Sequence, residues 1–375
     1  MEYRKWYDKD IKTSLLGFGA MRLKTISVNG KEEIDEEKGF KLFDEAYNNG
    51  VNYFDTAVPY TNGMNEAFVG KALKRYPRDT FYLASKLSLP CYKTKEDIEK
   101  AIDDQLKNLQ TDHIDFYLLH ALNKDRFERI KEWNIFELVE KWKREGKIRH
   151  IGFSFHDSYE VFKEIVDYYP WEFCQIQLNY MDDDIQQGLK GYYDLVKRKI
   201  PVIVMEPIKG GSLSNFNITV AKNFTDYSDN SLSSWALRWV GSLEGVKVML
   251  SGMNEMEQVK DNLKTVTPFV KLNAEELELV KKVKADLQRV VEVGCTKCRY
   301  CMPCPMGVEI PGNFEVFNRY AMYQNENDAK WRFNNLKNDK KDASVCVDCK
   351  KCLPKCPQGI NIPQELKRIK EKFSL

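Results

Sequence analysis

The residues best suited to chemistry fall into two patterns, and the first is made of cysteine. Eight of the ten cysteines lie in two tight runs, Cys295-x2-Cys298-x2-Cys301-x2-Cys304-Pro305 and Cys346-x2-Cys349-x2-Cys352-x3-Cys356-Pro357. Three cysteines at successive spacings of three can wrap three corners of an iron–sulfur cubane. A fourth, followed by proline, closes it, and in two-cluster ferredoxins that fourth cysteine reaches across to the other cluster. On that pattern one 4Fe–4S cluster takes Cys295, Cys298, Cys301 and Cys356, and a second takes Cys346, Cys349, Cys352 and Cys304. The first run departs from the bacterial spacing, with two residues rather than three before its last cysteine. A pair of four-cysteine zinc sites is the alternative, although those ordinarily use separated CxxC pairs. The matching tails CPMGVEIP (304–311) and CPQGINIP (356–363) mark an internal duplication. Cys91 and Cys174 stand apart from the runs, and Cys91 reads as a buried, inert thiol.

The second pattern is polar: Asp55 and Tyr60 in FDTAVPY, Lys86 in YLASK and His120 in FYLLH. Each follows or ends a short apolar run. Singly, each has an ordinary explanation: a helix cap for Asp55, rim packing for Tyr60, a solvated edge for Lys86, a satisfied packing group for His120. Together they supply what nicotinamide-driven carbonyl reduction needs, a proton donor for the developing alkoxide and polar groups to hold the carbonyl. Tyr60 is the expected acid, His120 the donor to the substrate oxygen, and Asp55 the group that keeps Lys86 charged and placed. Lys86 as an ammonium is expected to pull the Tyr60 pKa down from about 10.

These side chains need a scaffold that brings strand ends together. Eight apolar runs (15–21, 52–57, 81–86, 113–120, 148–154, 173–179, 201–207 and 246–252) alternate with amphipathic stretches such as EEKGFKLFDEAYNNG and TKEDIEKAIDDQLKNL. Continuous apolar character suits strands buried on both faces of a parallel sheet. Eight alternations over about 250 residues fit an α/β (β/α)8 barrel, whose active sites lie at the C-terminal ends of its strands. A doubly wound sheet is the alternative, but the first strand runs into GFGAMRL without a GxGxxG turn. An apolar stripe over 273–293 predicts a further helix leading to the cysteines, and WRFNNLKNDKKD reads as helical or exposed. The expected division is a barrel with its linking helix over 1–293 and a small, mainly helical ferredoxin-like domain over 294–375.

With these residues in view, the chain resembles the aldo-keto reductase family. FDTAVPY, YLASK and YLLH match its Asp–Tyr–Lys–His tetrad in order and strand position, and LGFGAMRL and REGKIRHIGFS are also similar, over about residues 10–265. With RYCMPCPMGVEIPGNF and CVDCKKCLPKCPQGINIP, it is similar to the branch bearing a C-terminal 4Fe–4S domain. The resemblance implies NADP or NAD across the barrel mouth. Ser154 and Gln177 would hold the nicotinamide amide. Met205, Pro207 and Gly210 would line the ring and pyrophosphate, and Ser251, Gly252, Met253, Gln258 and Asn262 the adenosine end. Phe155 replaces a common Asn, and the positions that often hold basic residues for a 2′-phosphate are Gly252 and Gln258. The missing cations weaken the case for NADPH over NADH, because phosphate is usually gripped by Arg or Lys. Lys260 reads as a solvated helix face.

Composition sets the remaining bounds. Lys plus Arg is 58 against 56 for Asp plus Glu, which leaves no electrostatic footprint for nucleic acid or an anionic membrane. The polar start and the lack of a spanning apolar run lead to the expectation of a cytoplasmic protein. The function expected is an NAD(P)H-dependent oxidoreductase of a small carbonyl-type molecule, with clusters for electron transfer and a redox carrier protein as partner. The competing readings are an electron-transfer or redox-sensing protein that uses the barrel as a docking or nucleotide-binding scaffold. Trp133, Phe216 and Phe224 are weighed as pocket walls against surface packing.

Overall fold

In a computed structural model describing residues 1–374, the chain forms two compact units, Met1–Gly210 with Ser233–Ala274, and Gly211–Leu232 with Glu275–Leu375. The first is a closed barrel. Its strands are β1 (Leu16–Gly19), β2 (Tyr53–Asp55), β3 (Tyr82–Leu87), β4 (Ile114–Leu122), β5 (Ile148–Phe155), β6 (Phe173–Gln177), β7 (Val202–Met205) and β8 (Val246–Ser251). Each pairs in parallel with its neighbours, and β8 closes on β1 through Met249↔Leu16 and Ser251↔Phe18. All eight apolar runs of the sequence are barrel strands.

Alternation along the strands produces two apolar layers. Side chains pointing inward, among them Tyr53, Phe116, Phe173, Ile203 and Val248, fill the barrel. Those pointing outward pack under the helices with Phe43, Val69, Trp142 and Phe162. Gly152 is required in the inner layer, since a Cβ there would lie 2.6 Å from the Phe173 ring. An antiparallel pair, Tyr3–Lys5 with Lys12–Ser14, delivers Trp6 into the inner layer against Phe116 at 4.5 Å. Its indole N–H donates to Thr13 Oγ1 at 2.9 Å, so this buried ring leaves no polar group unpaired.

The register sets the site. Asp55 pairs with Ala84, Lys86 with Leu118 and Leu119 with Phe153, so the ends of β2 to β5 form one continuous rim. Between Leu119 and Leu122 the β4–β5 register slips, and Ala121 takes φ 51°. This bulge re-aims His120 at the rim, as bulges beside active sites commonly do.

The second unit is helical around Val308, Ile310, Phe314, Phe333, Ile362, Leu366 and Ile369. Helices Ile310–Tyr323 and Ile362–Phe373 each begin Ile-Pro, directly after one of the duplicated CPxG turns, with Gly307 at φ 83° and Gly359 at φ 63°. Helix Glu326–Asn338 takes in the first eight residues of the segment expected to be helical or exposed, and 339–342 follow it outside the helix. Segment 211–232 packs within this unit: Asn217 N–H donates to Met322 O at 2.8 Å, and Phe216 and Phe224 are buried in mutual ring contact. No helix among the described residues is long and apolar enough to cross a membrane.

Candidate active site and cysteine pockets

At the rim of the barrel the four polar residues converge. Lys86 is fully buried, and its Nζ donates to Asp55 Oδ1 at 2.7 Å, Asp55 Oδ2 at 2.8 Å and Thr56 O at 2.7 Å. All three ammonium protons therefore have acceptors. Nζ also lies 4.9 Å from the Tyr60 ring centroid, and the Tyr60 ring meets His120 edge-on at 6.0 Å. Burial alone would favour the neutral amine, but the Asp55 carboxylate and the Tyr60 oxygen outweigh it and hold the Lys86 pKa above that of an ordinary lysine.

Tyr60 departs from expectation in the sign of its shift. Burial is the largest influence and raises its pKa, while Lys86 opposes and Asp55 adds to the rise. The physical reason is that burial disfavours the phenolate, and with Asp55 adding to it this outweighs the attraction of the Lys86 ammonium. Tyr60 therefore stays protonated, which is the state an acid needs. An alkoxide is far more basic than a phenolate, so donation remains downhill. His120 is pushed down to about 3 by burial, with Lys86, Arg126 and His156 adding to the shift, and it is neutral throughout the working pH range. Its Nδ1 is engaged by the Ser88 hydroxyl. If that hydroxyl donates, Nε2 carries the proton and becomes the donor toward the barrel mouth.

Several supporting residues escaped the sequence reading. The turn Tyr60–Gly63 holds Thr61 at φ 49° and Asn62 at φ 54°, an unfavourable backbone for a β-branched residue. Fully buried Asn65 clamps it, donating to Thr61 Oγ1 at 3.0 Å and Ala20 O at 2.9 Å and accepting from Thr56 at 2.7 Å. Behind Lys86, Gln105 donates to Lys86 O at 3.2 Å and to Glu66 at 2.7 Å, and Ser85 donates to Glu66 at 2.5 Å. The partners of this network lie far apart in sequence, and no local motif announces them.

Of the residues expected at the dinucleotide, Ser154, Gln177, Met205 and Ser251 end barrel strands, whereas Gln258 and Asn262 lie on helix Met256–Thr265. Ser154 pairs in register with Gln175, and Gln177 with Met205. Ser154 Oγ accepts from Ala121 N–H at 2.7 Å, and Gln177 bonds Asp182 and Gln186 at 3.3 and 3.2 Å. Met205 sulfur accepts from Gln175 at 3.5 Å, and Pro207 and Met253 are buried. The buried carboxamide oxygens of Gln175 and Gln187 have no partner. Asn262 donates to Ser251 Oγ at 2.8 Å. Gln258 is spent as a helix cap, accepting from Asn254 and Glu255 N–H at 2.8 and 3.2 Å. Arg22, also unforeseen, lies against both Gly252 and Gly210 and slightly opposes the rise in the Tyr60 pKa. Cys91 is exposed rather than buried, because it sits in the turn that leaves β3. Trp133 is partly buried against the core.

In the second unit, Cys295, Cys298, Cys301 and Cys356 line one pocket with Ile310, Phe314, Ile360 and Ile362. Burial raises the Cys301 thiol, and Cys295, Cys298 and Cys356 raise it further; Cys352 responds likewise to burial and to Cys346, Cys304 and Cys349. Each set thus joins three cysteines of one run with the last cysteine of the other. The thiols line walls rather than meeting at a point: among the described residues no three His, Cys, Asp or Glu side chains converge to hold one metal ion. A cubane takes its ligands at separate corners, and that is what a pocket wall provides. Lys297 and Arg299 in one run, and Asp348 and Lys350 in the other, adopt φ between 52° and 64°. Such left-handed steps turn successive N–H groups inward as a nest for an anionic cluster. The residues present fit iron–sulfur clusters.

A closed parallel barrel with this polar rim, joined in sequence to paired cysteine sets, defines an oxidoreductase with an iron–sulfur domain. Residues 15–285 match the aldo/keto reductase family and residues 294–361 a 4Fe-4S dicluster domain, and the chain belongs to the aldo/keto reductase family. It is 27% identical to L-galactose dehydrogenase from Arabidopsis thaliana, over 77% of this chain and 95% of that protein. It is 24% identical to the NADH-specific methylglyoxal reductase of Escherichia coli, over 75% and 97%. The holo form of an aldo-keto reductase from Bacillus halodurans superposes with a TM-score of 0.63 at 30% identity, covering 76% of this chain and 96% of that one.

Proposed function

We propose that the barrel reduces a carbonyl-type substrate with NAD(P)H, using Asp55, Tyr60, Lys86 and His120, and that the two cysteine sets hold 4Fe–4S clusters that pass single electrons. The carrying observation is the fully buried Lys86, with Asp55 on one side and the Tyr60 ring on the other. A nicotinamide held at this rim would supply the hydride. His120 Nε2 donates a hydrogen bond to the substrate oxygen, and Tyr60 gives its phenolic proton to that oxygen as negative charge develops there. Lys86 stabilises the phenolate left behind, and Asp55 keeps Lys86 an ammonium. Ser154 and Gln177 orient the carboxamide, and Arg22, between Gly210 and Gly252, is placed to meet the pyrophosphate.

Two lysines near the adenosine end, Lys24 and Lys38, both pair with Glu255. Their neutralisation supports NADH over NADPH, and the similar Escherichia coli reductase is NADH-specific by name. Replacing Tyr60 by Phe tests the assignment. Turnover of aldehyde substrates should fall by about 10²–10⁴, the usual worth of a general acid, with nicotinamide binding, read by fluorescence, retained. Unchanged turnover would sink the assignment. An anaerobic NADH titration followed by electron paramagnetic resonance separates a connected electron path from a self-contained reductase: a reduced-cluster signal means the two functions communicate.

A further inference from the structure

The duplicated cysteine runs are alike in backbone but differ in charge at the surface. In each, the middle cysteine, Cys298 or Cys349, is exposed, while the others are partly covered. Around Cys298 the two cations are already answered: Lys297 pairs with Glu315 at 3.0 Å, and Arg299 binds Glu309 through two bonds of 2.8 and 3.1 Å. Around Cys349 they are not. Lys350, Lys351 and Lys355 are all exposed, and none enters an ion pair among the described residues. One carboxylate, Asp348, is exposed beside them, together with Val347, an apolar residue 59% exposed. Two identical cubanes would add the same negative charge to both faces, so the difference between the faces belongs to the side chains.

We propose that the face around Cys349 is the docking site of an acidic one-electron carrier protein, which exchanges electrons with the cluster held by Cys346, Cys349, Cys352 and Cys304. The inference rests on both cysteine sets holding clusters. One electron leaves the reduced carrier and reduces one oxidised cluster; no atom or proton changes place. Unpaired lysines steer an acidic partner and set its orientation, and Val347 supplies the apolar contact at the centre. Exposure of Cys349 brings a cluster ligand to the surface, where the electron has the shortest path. The face around Cys298 lacks this steering because its cations are spent on Glu315 and Glu309.

The test uses the full, cluster-loaded chain and a strongly acidic two-cluster bacterial ferredoxin as probe. Iron and sulfide content and visible absorption are measured first, since absent clusters would overturn the cofactor reading itself rather than the docking face. With clusters present, stopped-flow cluster reduction should slow about tenfold or more as ionic strength rises, as electrostatically steered association does. The double variant Lys350→Glu/Lys351→Glu should slow it by a similar factor at low salt, with cluster content intact. Reversal of Lys281 and Lys330, exposed and engaged elsewhere, should leave the rate unchanged. A second readout is independent of turnover: zero-length carbodiimide cross-linking should join ferredoxin carboxylates to the peptide containing Lys350, Lys351 and Lys355. Cross-links concentrated at Lys297, or a rate indifferent to both salt and the double variant, would overturn the proposal.

Discussion

The barrel rim and the cysteine pockets solve the same problem, gathering groups that carry charge at one place, in opposite ways. At the rim, one buried cation is met by side chains from different strands: Asp55 from β2, Lys86 from β3 and His120 from β4. No two are close in sequence, and their meeting depends on the parallel register. In the second unit, three of four ligands come from one short run, and the local backbone, with left-handed steps at Lys297 and Arg299, turns toward them. Only the fourth ligand is distant. The rim is therefore bound up with the pairing of the barrel strands, whereas three cysteines of each set are placed by one short run.

The comparison is broken most severely at Tyr60, where the expected loss of turnover by orders of magnitude leaves the fold intact. Next in size is Asp55→Asn. Removing one partner of a buried pair leaves an uncompensated ammonium and should cost about 3–5 kcal/mol. Chemical denaturation followed by barrel tryptophan fluorescence reads that loss, and kcat should fall with it. A stability unchanged within error would mean that Lys86 finds another counter-charge.

The cysteine pockets are sharpened by pairs of substitutions. If the fourth ligand crosses between runs, Cys356→Ser combined with Cys295→Ser damages one cluster, and Cys356→Ser combined with Cys346→Ser damages both. Iron content and the reduced-cluster resonance should follow that order. The reverse order would assign each run to its own cluster. Barrel unfolding should be unaffected in all four single variants of the first set.

Two smaller effects concern protonation. His120 stays neutral because its pKa is near 3, so kcat/KM should show no His120 transition between pH 5 and 8, measured against His120→Gln. At the opposite end of the barrel, Glu172 is held well below the usual carboxylate range: burial opposes, but His150, Lys143, Lys9 and the Ile151 N–H together win. A depressed folded pKa contributes stability above the unfolded value of about 4.3 and loses it as pH falls below that. Glu172→Gln should thus cost about 1–3 kcal/mol at pH 7, and the gap from the parent should narrow as denaturation is repeated below pH 4.

Much of the scaffold was open to reading because barrel strands buried on both faces carry continuous apolar runs, and eight such runs are hard to mistake. Both antiparallel hairpins were missed. They are short and charged, although Asn29-Gly30 between Val28 and Lys31, with φ 53° and 78°, is a strong local hairpin signal. The linking helix, Ala274–Arg289, was legible from its apolar stripe. Asn65, Ser88, Gln105 and Arg22 were not, since nothing about a lone polar residue reveals which distant atoms it will meet.

Residue type and spacing by themselves determined the chemistry on offer: thiolates at cluster spacing, and an acid, a base partner, an ammonium and an imidazole at strand ends. Those properties are local, written within a few residues. Tertiary structure decided the rest. It answered Lys86 with three acceptors, made burial outweigh the ammonium at Tyr60, brought Cys356 to the first cysteine run, and spent the cations beside Cys298 while leaving those beside Cys349 unpaired. The physical reason is that charge, unlike propensity, takes its value from surroundings, and surroundings are assembled only when distant parts of the chain pack together.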